Sequence, residues 1–164
     1  MKRLLLAALA VGLIGAQGVT AQSTRASIQG AWRIVEAKTS GPNARTLAFG
    51  ERPNLTIFTG KHYSRVEVQA DGPRPLLVDV AKATADELRT VWGPFVGEAG
   101  TYELADGNLI TMRPIASKNP AVMGPGVFIT YTYTLDGNTL SLLQQRNQNG
   151  PFQYPFGLKL TRVE

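Results

Sequence analysis

Short runs of apolar and β-branched residues alternate with turn-forming residues along most of this chain. Turn pairs occur at positions 59–60, 106–107, 136–138 and 149–150, and Asp-Gly and Asn-Gly pairs of this kind favour hairpins. The runs between the turns predict strands at residues 30–38, 54–59, 61–69, 75–80, 100–104, 108–115, 126–135, 139–146 and 156–163. Turn signals at this spacing are typical of an antiparallel sandwich or barrel.

The alternation of residues within two of these strands predicts which side chains share a face. In the run 127–135, the odd positions are large and apolar, and the even positions are three threonines and one phenylalanine. In the first strand, Trp32, Ile34 and Glu36 fall on one face. Because successive side chains point to opposite faces of a strand, each of these strands has one face suited to a core.

One segment has helical rather than strand periodicity. Thr84 and Glu87 have the spacing of a capping box, in which each side chain satisfies the backbone of the other residue. An apolar stripe at i, i+3, i+4 and i+7 follows, formed by Leu88, Val91, Trp92 and Phe95. We therefore predict one helix of about three turns that ends at Pro94 and packs on the sheet or over a barrel end.

The first 21 residues have the pattern of an export signal. Lys2 and Arg3 precede an uncharged apolar run at residues 4–15, and Val19 and Ala21 are small residues at the positions that a signal peptidase reads. The apolar run is too short for a membrane-spanning helix, which needs about 20 apolar residues. We predict cleavage after Ala21, a flexible segment at 22–27, one domain at 28–164, and a periplasmic or extracellular location without stable membrane insertion.

Composition excludes several classes of function. The 164 residues include no cysteine and one histidine, His62. Disulfide scaffolds, cysteine zinc sites and thiol nucleophiles are thus excluded, and a Ser-His-Asp hydrolase is disfavoured. The net charge is +5, but the basic residues are scattered without an aromatic platform, which argues against nucleic-acid binding. The acidic residues lack the spacing of a calcium loop, so we predict no metal and no cofactor.

Three features, taken in order along the chain, resemble a known family. Gly30 and Trp32 form a Gly-x-Trp start of the first strand, the capped helix leads into a Gly-Thr-Tyr strand at 100–102, and Arg162 is a basic residue in the last strand. This order resembles the bacterial lipocalin-like domain family, which has a calycin-type β-barrel. The resemblance implies an all-β antiparallel barrel of about eight or nine strands with one short helix. It also implies that Arg162 packs across Trp32, and that Gly30, Trp32 and Arg162 form the structural signature.

The predicted barrel has an interior that could hold one small ligand. We expect its wall to include Ile34, Leu55, Ile57, Met112, Tyr131, Tyr133, Leu140 and Leu142. Many family members carry a histidine in the strand after Gly-Thr-Tyr, where this chain has Met112, so no histidine-based role is expected there. Glu36 shares a face with Ile34, which points it inward as a group that orients a ligand or transfers a proton. We favour the alternative, in which Glu36 lies near the open rim and contacts water, because carboxylates at strand ends are mostly exposed.

Three functions remain open at this point. The favoured one is an exported binding protein for a small apolar or amphipathic molecule, with Ile34, Glu36, Ile57, Met112, Tyr131, Tyr133 and Leu142 in the ligand site. The second is a filled barrel with a structural or interaction role in the envelope. The third, less favoured, is an isomerase, cyclase or hydrolase using Glu36 and a barrel tyrosine. A cavity of roughly 300 Å³ or more favours ligand binding or catalysis. The loop 117–126 is either a lid or a connection.

Overall fold

The fold described here is that of a computed structural model, which describes residues 27–164. The predicted signal peptide and residues 22–26 of the predicted flexible segment lie outside the described residues. None of the helices within 27–164 is long and apolar enough to cross a membrane.

Ten strands and one α-helix make up the described chain. In chain order they are β1 (Gly30–Lys38), β2 (Thr46–Ala48), β3 (Asn54–Phe58), β4 (His62–Val68), α1 (Ala85–Trp92), β5 (Phe95–Ala105), β6 (Leu109–Ser117), β7 (Ile129–Asp136), β8 (Thr139–Asn147), β9 (Gly150–Pro151) and β10 (Gly157–Arg162). Short 3-10 turns occupy Val80–Lys82 and Pro120–Val122. The described chain is therefore all-β with a single short α-helix, as the sequence predicted.

Eight of the strands form a closed antiparallel barrel. The order is β10-β1-β3-β4-β5-β6-β7-β8, and β10 also pairs with β8, which closes the circle. β2 pairs with β1, and β9 pairs with β8, outside this circle. Closure leaves no free edge among the eight strands, so within residues 27–164 the free strand edges are those of the two short extra strands.

The two ends of the barrel differ in the connections that they carry. At one end, which we call the base, β1 begins beside the end of β3, and tight turns join β3 to β4, β5 to β6 and β7 to β8. At the other end, which we call the rim, the connections are long: 39–53, 69–94, 118–128 and 148–156. The last residues of β10 return to the base beside Trp32.

The hydrophobic core lies inside the barrel. The largest side chains that are almost completely buried are Trp32, Ile34, Phe58, Ile110, Leu140 and Leu160. The ring of Phe58 meets that of Tyr102 edge-on, with 5.4 Å between centroids. Burying aromatic and aliphatic side chains of this size is the main source of stability in a barrel of eight strands. Much of the interior is therefore filled by the chain itself.

Three local predictions differ from the structure. Residues 75–80 form no strand. Pro73 just before this segment and Pro75 at its start lack backbone N–H donors, and the side chains of Leu76, Val78 and Val80 are exposed. The helix has eight residues, about two turns rather than three. It ends at Trp92 because β5 begins at Phe95, the residue that the sequence placed on the apolar stripe.

The helix begins where it was predicted to begin. Thr84 accepts a hydrogen bond from the backbone N–H of Glu87, and the Glu87 carboxylate accepts one from the backbone N–H of Thr84 at 2.7 Å. The two bonds satisfy backbone donors that the first turn of a helix leaves free.

Candidate functional site

A groove at the rim lies where the start of β3, the end of β4 and the start of β5 meet the long connections. Its volume is about 880 Å³, and it is walled by residues 48–53, by residues 70–76 and by the end of α1. Ligand pockets usually have volumes of about 300 to 1,000 Å³, so the groove is large enough for a small molecule. The long connections at a barrel rim are also where binding residues are usually carried.

The floor of the groove combines apolar and cationic groups. The guanidinium of Arg74 lies 5.7 Å from the ring centroid of Phe95, and that of Arg52 lies 5.6 Å from the ring centroid of Phe49. Trp92 meets Phe95 edge-on at 6.3 Å. Both distances lie within the range of a cation–π contact, in which the face of the ring attracts the positive charge.

The two arginines differ in their polar partners. Arg52 forms an ion pair with Asp71. Arg74 donates a hydrogen bond to the carbonyl of Val91 at 3.1 Å, and none of the ion pairs within residues 27–164 includes it. Arg74 therefore offers the groove a positive charge that no carboxylate of the described chain neutralises at close range. An anionic group would gain a charge-assisted hydrogen bond there.

Lys118 fixes the end of the helix that walls the groove. Its ammonium donates hydrogen bonds to the carbonyls of Trp92, Gly93 (3.1 Å) and Phe95 (2.8 Å). A cation at this position satisfies carbonyls that the end of a helix leaves without partners. The 117–126 loop, which contains Lys118, is thereby attached to the groove wall.

A second polar feature lies inside the barrel. Arg65 and Glu67 of β4 and Glu98 of β5 occupy inward positions, as do the tyrosines Tyr63 and Tyr131. The hydroxyl of Tyr63 donates to the Glu98 carboxylate at 3.2 Å, and a guanidinium nitrogen of Arg65 lies 3.6 Å from the same oxygen. Buried charges of this kind are costly unless they are paired, so the three charged side chains form one coupled cluster.

The cluster changes the proton affinity of its members. Burial raises the pKa of Tyr63, and the neighbouring Glu98 carboxylate raises it further. Burial also raises the pKa of Tyr131. Burial is the largest single effect on the pKa of Arg65 and works to lower it, but the combined electrostatic effect of Glu98, Tyr131, Glu67 and Tyr63 outweighs burial and raises the pKa above the ordinary value. The two phenols are therefore neutral and the guanidinium is charged across the physiological range.

Five of the seven residues predicted for a ligand site point into the barrel. Ile34, Met112, Tyr131 and Leu142 are buried, and Tyr133 packs against the core while partly exposed. They lie within a packed core, and none of them borders the rim groove.

Glu36 lies on the outside of the barrel rather than inside it. Its carboxylate pairs with Lys38 at 3.1 Å, and its side chain is 33% exposed. A β-bulge between Ile34 and Glu36 inserts an extra residue, so Ala37 takes the inward position that strict alternation gave to Glu36. The proton-transfer pair of Glu36 with a barrel tyrosine therefore does not form.

Two further wall residues also face outward. Ile57 is 39% exposed, and its strand neighbours inside the barrel are Thr56 and Phe58. Leu55 lines a shallow outer cavity of about 380 Å³ beside Val66 and Phe95. The sequence assigned the apolar face of β3 to the interior, but the interior face of this strand carries Asn54, Thr56 and Phe58.

The base of the barrel is closed by Trp32 and Arg162. The guanidinium of Arg162 lies 4.2 Å from the centroid of the Trp32 ring and donates to the carbonyls of Gln29 and Ser27, both at 2.6 Å. Gly30 has φ of 130°, and a Cβ there would lie 2.5 Å from an Arg162 nitrogen. A side chain at position 30 would thus displace the arginine as well as strain the backbone.

The residues of the interior cluster, other than Tyr131, were missed from the sequence. A signal existed: Tyr63, Arg65 and Glu67 alternate in β4, so they must share one face. The opposite face carries Ser64 and Val66. If Val66 is assigned to the core, Arg65 and Glu67 must face solvent. The structure has the reverse arrangement. The groove residues were not predictable from local pattern, because they come together only when the two rim connections fold.

Comparisons with known proteins assign no family to this chain. The sequence matches no protein-family model and no curated protein. Among solved structures, it is similar to an uncharacterized protein from Bacteroides eggerthii DSM 20697, with 11% identity, a TM-score of 0.42, and coverage of 81% of this chain and 98% of that chain. The barrel itself is compatible with a calycin-like architecture: eight antiparallel strands close in a simple order around a filled core.

Proposed function

We propose that this chain is an exported barrel that binds a small amphipathic molecule with an anionic group, and that it does so in the rim groove. The observation that carries the proposal is Arg74, stacked on Phe95 in an 880 Å³ groove without a carboxylate partner. The apolar part of a ligand would lie against Trp92 and Phe95. Its acidic group would meet the N–H groups of Arg74.

Because the barrel interior is filled, the rim groove is a better candidate for the binding site than the interior. Trp32, Phe58 and Tyr102 occupy the space that an internal ligand would need. This arrangement combines two of the possibilities raised by the sequence, since a filled barrel serves as the scaffold and its loops carry the binding groove.

The test compares decanoate with decanol, which have the same chain length but differ in charge. Binding is followed by the fluorescence of Trp92, since the other tryptophan, Trp32, is buried at the base. We expect decanoate to bind about tenfold more tightly than decanol, which corresponds to one charge-assisted hydrogen bond. Arg74→Ala should remove this preference while decanol binding stays unchanged.

Arg113 provides a matched control. Its guanidinium also stacks on an aromatic ring, that of Phe128 at 5.3 Å, but it lies outside the groove. Arg113→Ala should leave both affinities unchanged. Equal losses in the two arginine variants, or no binding of either compound, would contradict the proposal and favour a structural role for the filled barrel. Amino-terminal sequencing of the protein from a bacterial envelope fraction tests export, with Gln22 as the expected first residue.

A further inference from the structure

The rim groove contains a second arginine, which differs from Arg74 in having a carboxylate partner. Arg52 lines one wall of the groove and Asp71 lines the other, and the ion pair between their side chains joins the two walls. The remaining charged residues of the lining are Arg74 and Glu51. The lining therefore contains two guanidiniums and two carboxylates, so the groove has no excess of positive charge.

Arg52 has further contacts that hold it at the groove wall without Asp71. Its guanidinium lies 5.6 Å from the ring centroid of Phe49 and donates a hydrogen bond to the carbonyl of Ala48 at 3.2 Å. Its side chain is only 23% exposed. The guanidinium would therefore stay in the groove, ready to bind an anion, if its carboxylate partner lost its charge.

Asp71 is held far less firmly than Arg52. Its side chain is 91% exposed, and Arg52 is the one polar partner of its carboxylate among residues 27–164. An exposed ion pair of this kind contributes little to the stability of a fold. Its place between the walls of a groove points instead to an effect on which ligands the groove accepts.

We propose that Asp71 restricts the rim groove to amphipathic ligands with a single negative charge. The inference rests on the proposed function and names its ligand class more closely. Because Asp71 neutralises Arg52, Arg74 is the one guanidinium of the lining without a carboxylate partner in the described chain. One acidic group can therefore be paired in the groove, and a second one cannot.

A second carboxylate on the ligand would have to compete with Asp71 for Arg52. Asp71 is part of the groove wall, so its negative charge stays nearby even when its contact with Arg52 is broken. Like charges at close range repel each other, and salt screens this repulsion only in part over such short distances. A dianion thus gains one pairing at Arg74 and meets repulsion at the other arginine.

The test compares decanoate with decanedioate, which has the same chain length and a carboxylate at each end. Isothermal titration calorimetry at one salt concentration gives both affinities for the wild-type protein and for Asp71→Asn. This substitution removes the charge and keeps an oxygen to which Arg52 can donate. We expect wild type to bind decanedioate more weakly than decanoate. In Asp71→Asn the affinity for decanedioate should rise about tenfold, which corresponds to one charge-assisted hydrogen bond. The affinity for decanoate should rise far less, because a single carboxylate pairs with one guanidinium at a time.

Two further variants separate the effect of charge from a loosening of the groove. The double variant Arg52→Gln with Asp71→Asn removes both charges of the ion pair, and Asp71→Glu keeps them. Both variants should bind decanedioate as weakly as wild type does. Tight binding of decanedioate by the double variant would show that separation of the walls, rather than a freed arginine, admits the ligand, and would overturn the inference.

Asp86 supplies the matched control. Its side chain is 90% exposed and pairs with Arg89 at 2.6 Å, but it lies outside the groove lining. Asp86→Asn should leave both affinities unchanged. If decanoate binds and Asp71→Asn improves decanedioate binding no more than Asp86→Asn does, or improves both ligands equally, the inference is wrong while the proposed function stands. If wild type does not bind decanoate, the proposed function fails and the inference fails with it.

Discussion

Replacement of Arg162 by alanine should destabilise the barrel strongly, because one guanidinium joins three parts of the base. It stacks on Trp32 at 4.2 Å and donates to the carbonyls of Ser27 and Gln29, each at 2.6 Å. Both carbonyls precede β1, whereas Arg162 ends β10. The side chain therefore ties the entry of the first strand to the end of the last one.

The expected magnitude follows from these contacts. A hydrogen bond to a charged group contributes about 1.5 to 3 kcal/mol, and a cation–π contact contributes about 0.5 to 2 kcal/mol. Water can replace part of the lost hydrogen bonding because the site is partly exposed, which lowers the total. We expect Arg162→Ala to reduce the free energy of unfolding by about 2 to 4 kcal/mol. Arg162→Lys keeps the charge but loses the flat stacking face, and should cost about half as much.

Urea unfolding of the purified domain measures these differences. Arg113→Ala is the control, since Arg113 also stacks on a ring but lies on the exposed outer surface and forms only a long ion pair of 4.0 Å with Glu103. Its loss should cost less than about 1 kcal/mol. If Arg162→Ala costs no more than Arg113→Ala, the base is held by burial of Trp32 alone and the reasoning is wrong.

Three other perturbations test the remaining contacts. Asn54→Leu should cost about 2 to 4 kcal/mol in urea unfolding, because the Asn54 amide bonds to both the N–H (2.6 Å) and the carbonyl (3.1 Å) of Ile34 at the bulge; a cost below about 1 kcal/mol would contradict this role. Burial raises the pKa of Tyr63 in the folded protein, whereas the pKa of a tyrosine in the unfolded chain is about 10. The free energy of unfolding should therefore be constant below pH 10 and fall above it, by up to about 1.4 kcal/mol per pH unit, because only the unfolded chain loses the proton. Tyr63→Phe should reduce that slope in unfolding experiments at alkaline pH, and an unchanged slope would contradict it. The pKa of Glu87 is lowered by its bonds to the backbone and hydroxyl of Thr84, so the protection of helix amides from hydrogen exchange should fall as acid protonates Glu87; Thr84→Ala should lose this pH dependence.

The all-β class was predictable because its signals are local. Turn pairs and alternating apolar residues repeat along the chain, and each hairpin can be recognised without knowing the rest of the fold. The helix cap at Thr84 is local in the same way. The all-β antiparallel class and the start of α1 therefore follow from local pattern, whereas that pattern fits a sandwich as well as a barrel and does not specify the order of the strands.

The error at Glu36 has a non-local cause. The bulge in β1 is held by Asn54, which lies 20 residues away on β3 and supplies the hydrogen bonds that an extra residue would otherwise leave unmade. Alternation is reliable only while a strand stays regular, and nothing within β1 itself signals the bulge. A side chain from another strand thus decides which residue faces the core.

The inward charges of β4 cannot be predicted from that strand alone. Arg65 and Tyr63 both pair with the Glu98 carboxylate of the neighbouring strand, and Glu67 accepts a hydrogen bond from the side chain of Gln69 at 2.6 Å. Such pairing depends on the register between β4 and β5, which a single strand does not reveal.

The separation of base from rim leads to one decisive comparison. If the base provides stability and the rim groove provides binding, Arg162→Ala should lower the free energy of unfolding while decanoate affinity of the folded fraction stays the same. Arg74→Ala should do the opposite, since Arg74 contacts Phe95 and the carbonyl of Val91 on the partly exposed groove wall, and its loss leaves the core intact. Sites more than about 7 to 10 Å apart without shared partners are usually additive, so the double variant should show the sum of the two effects. If the Arg162→Ala variant is fully folded but no longer binds decanoate, the two ends of the barrel are coupled through the core.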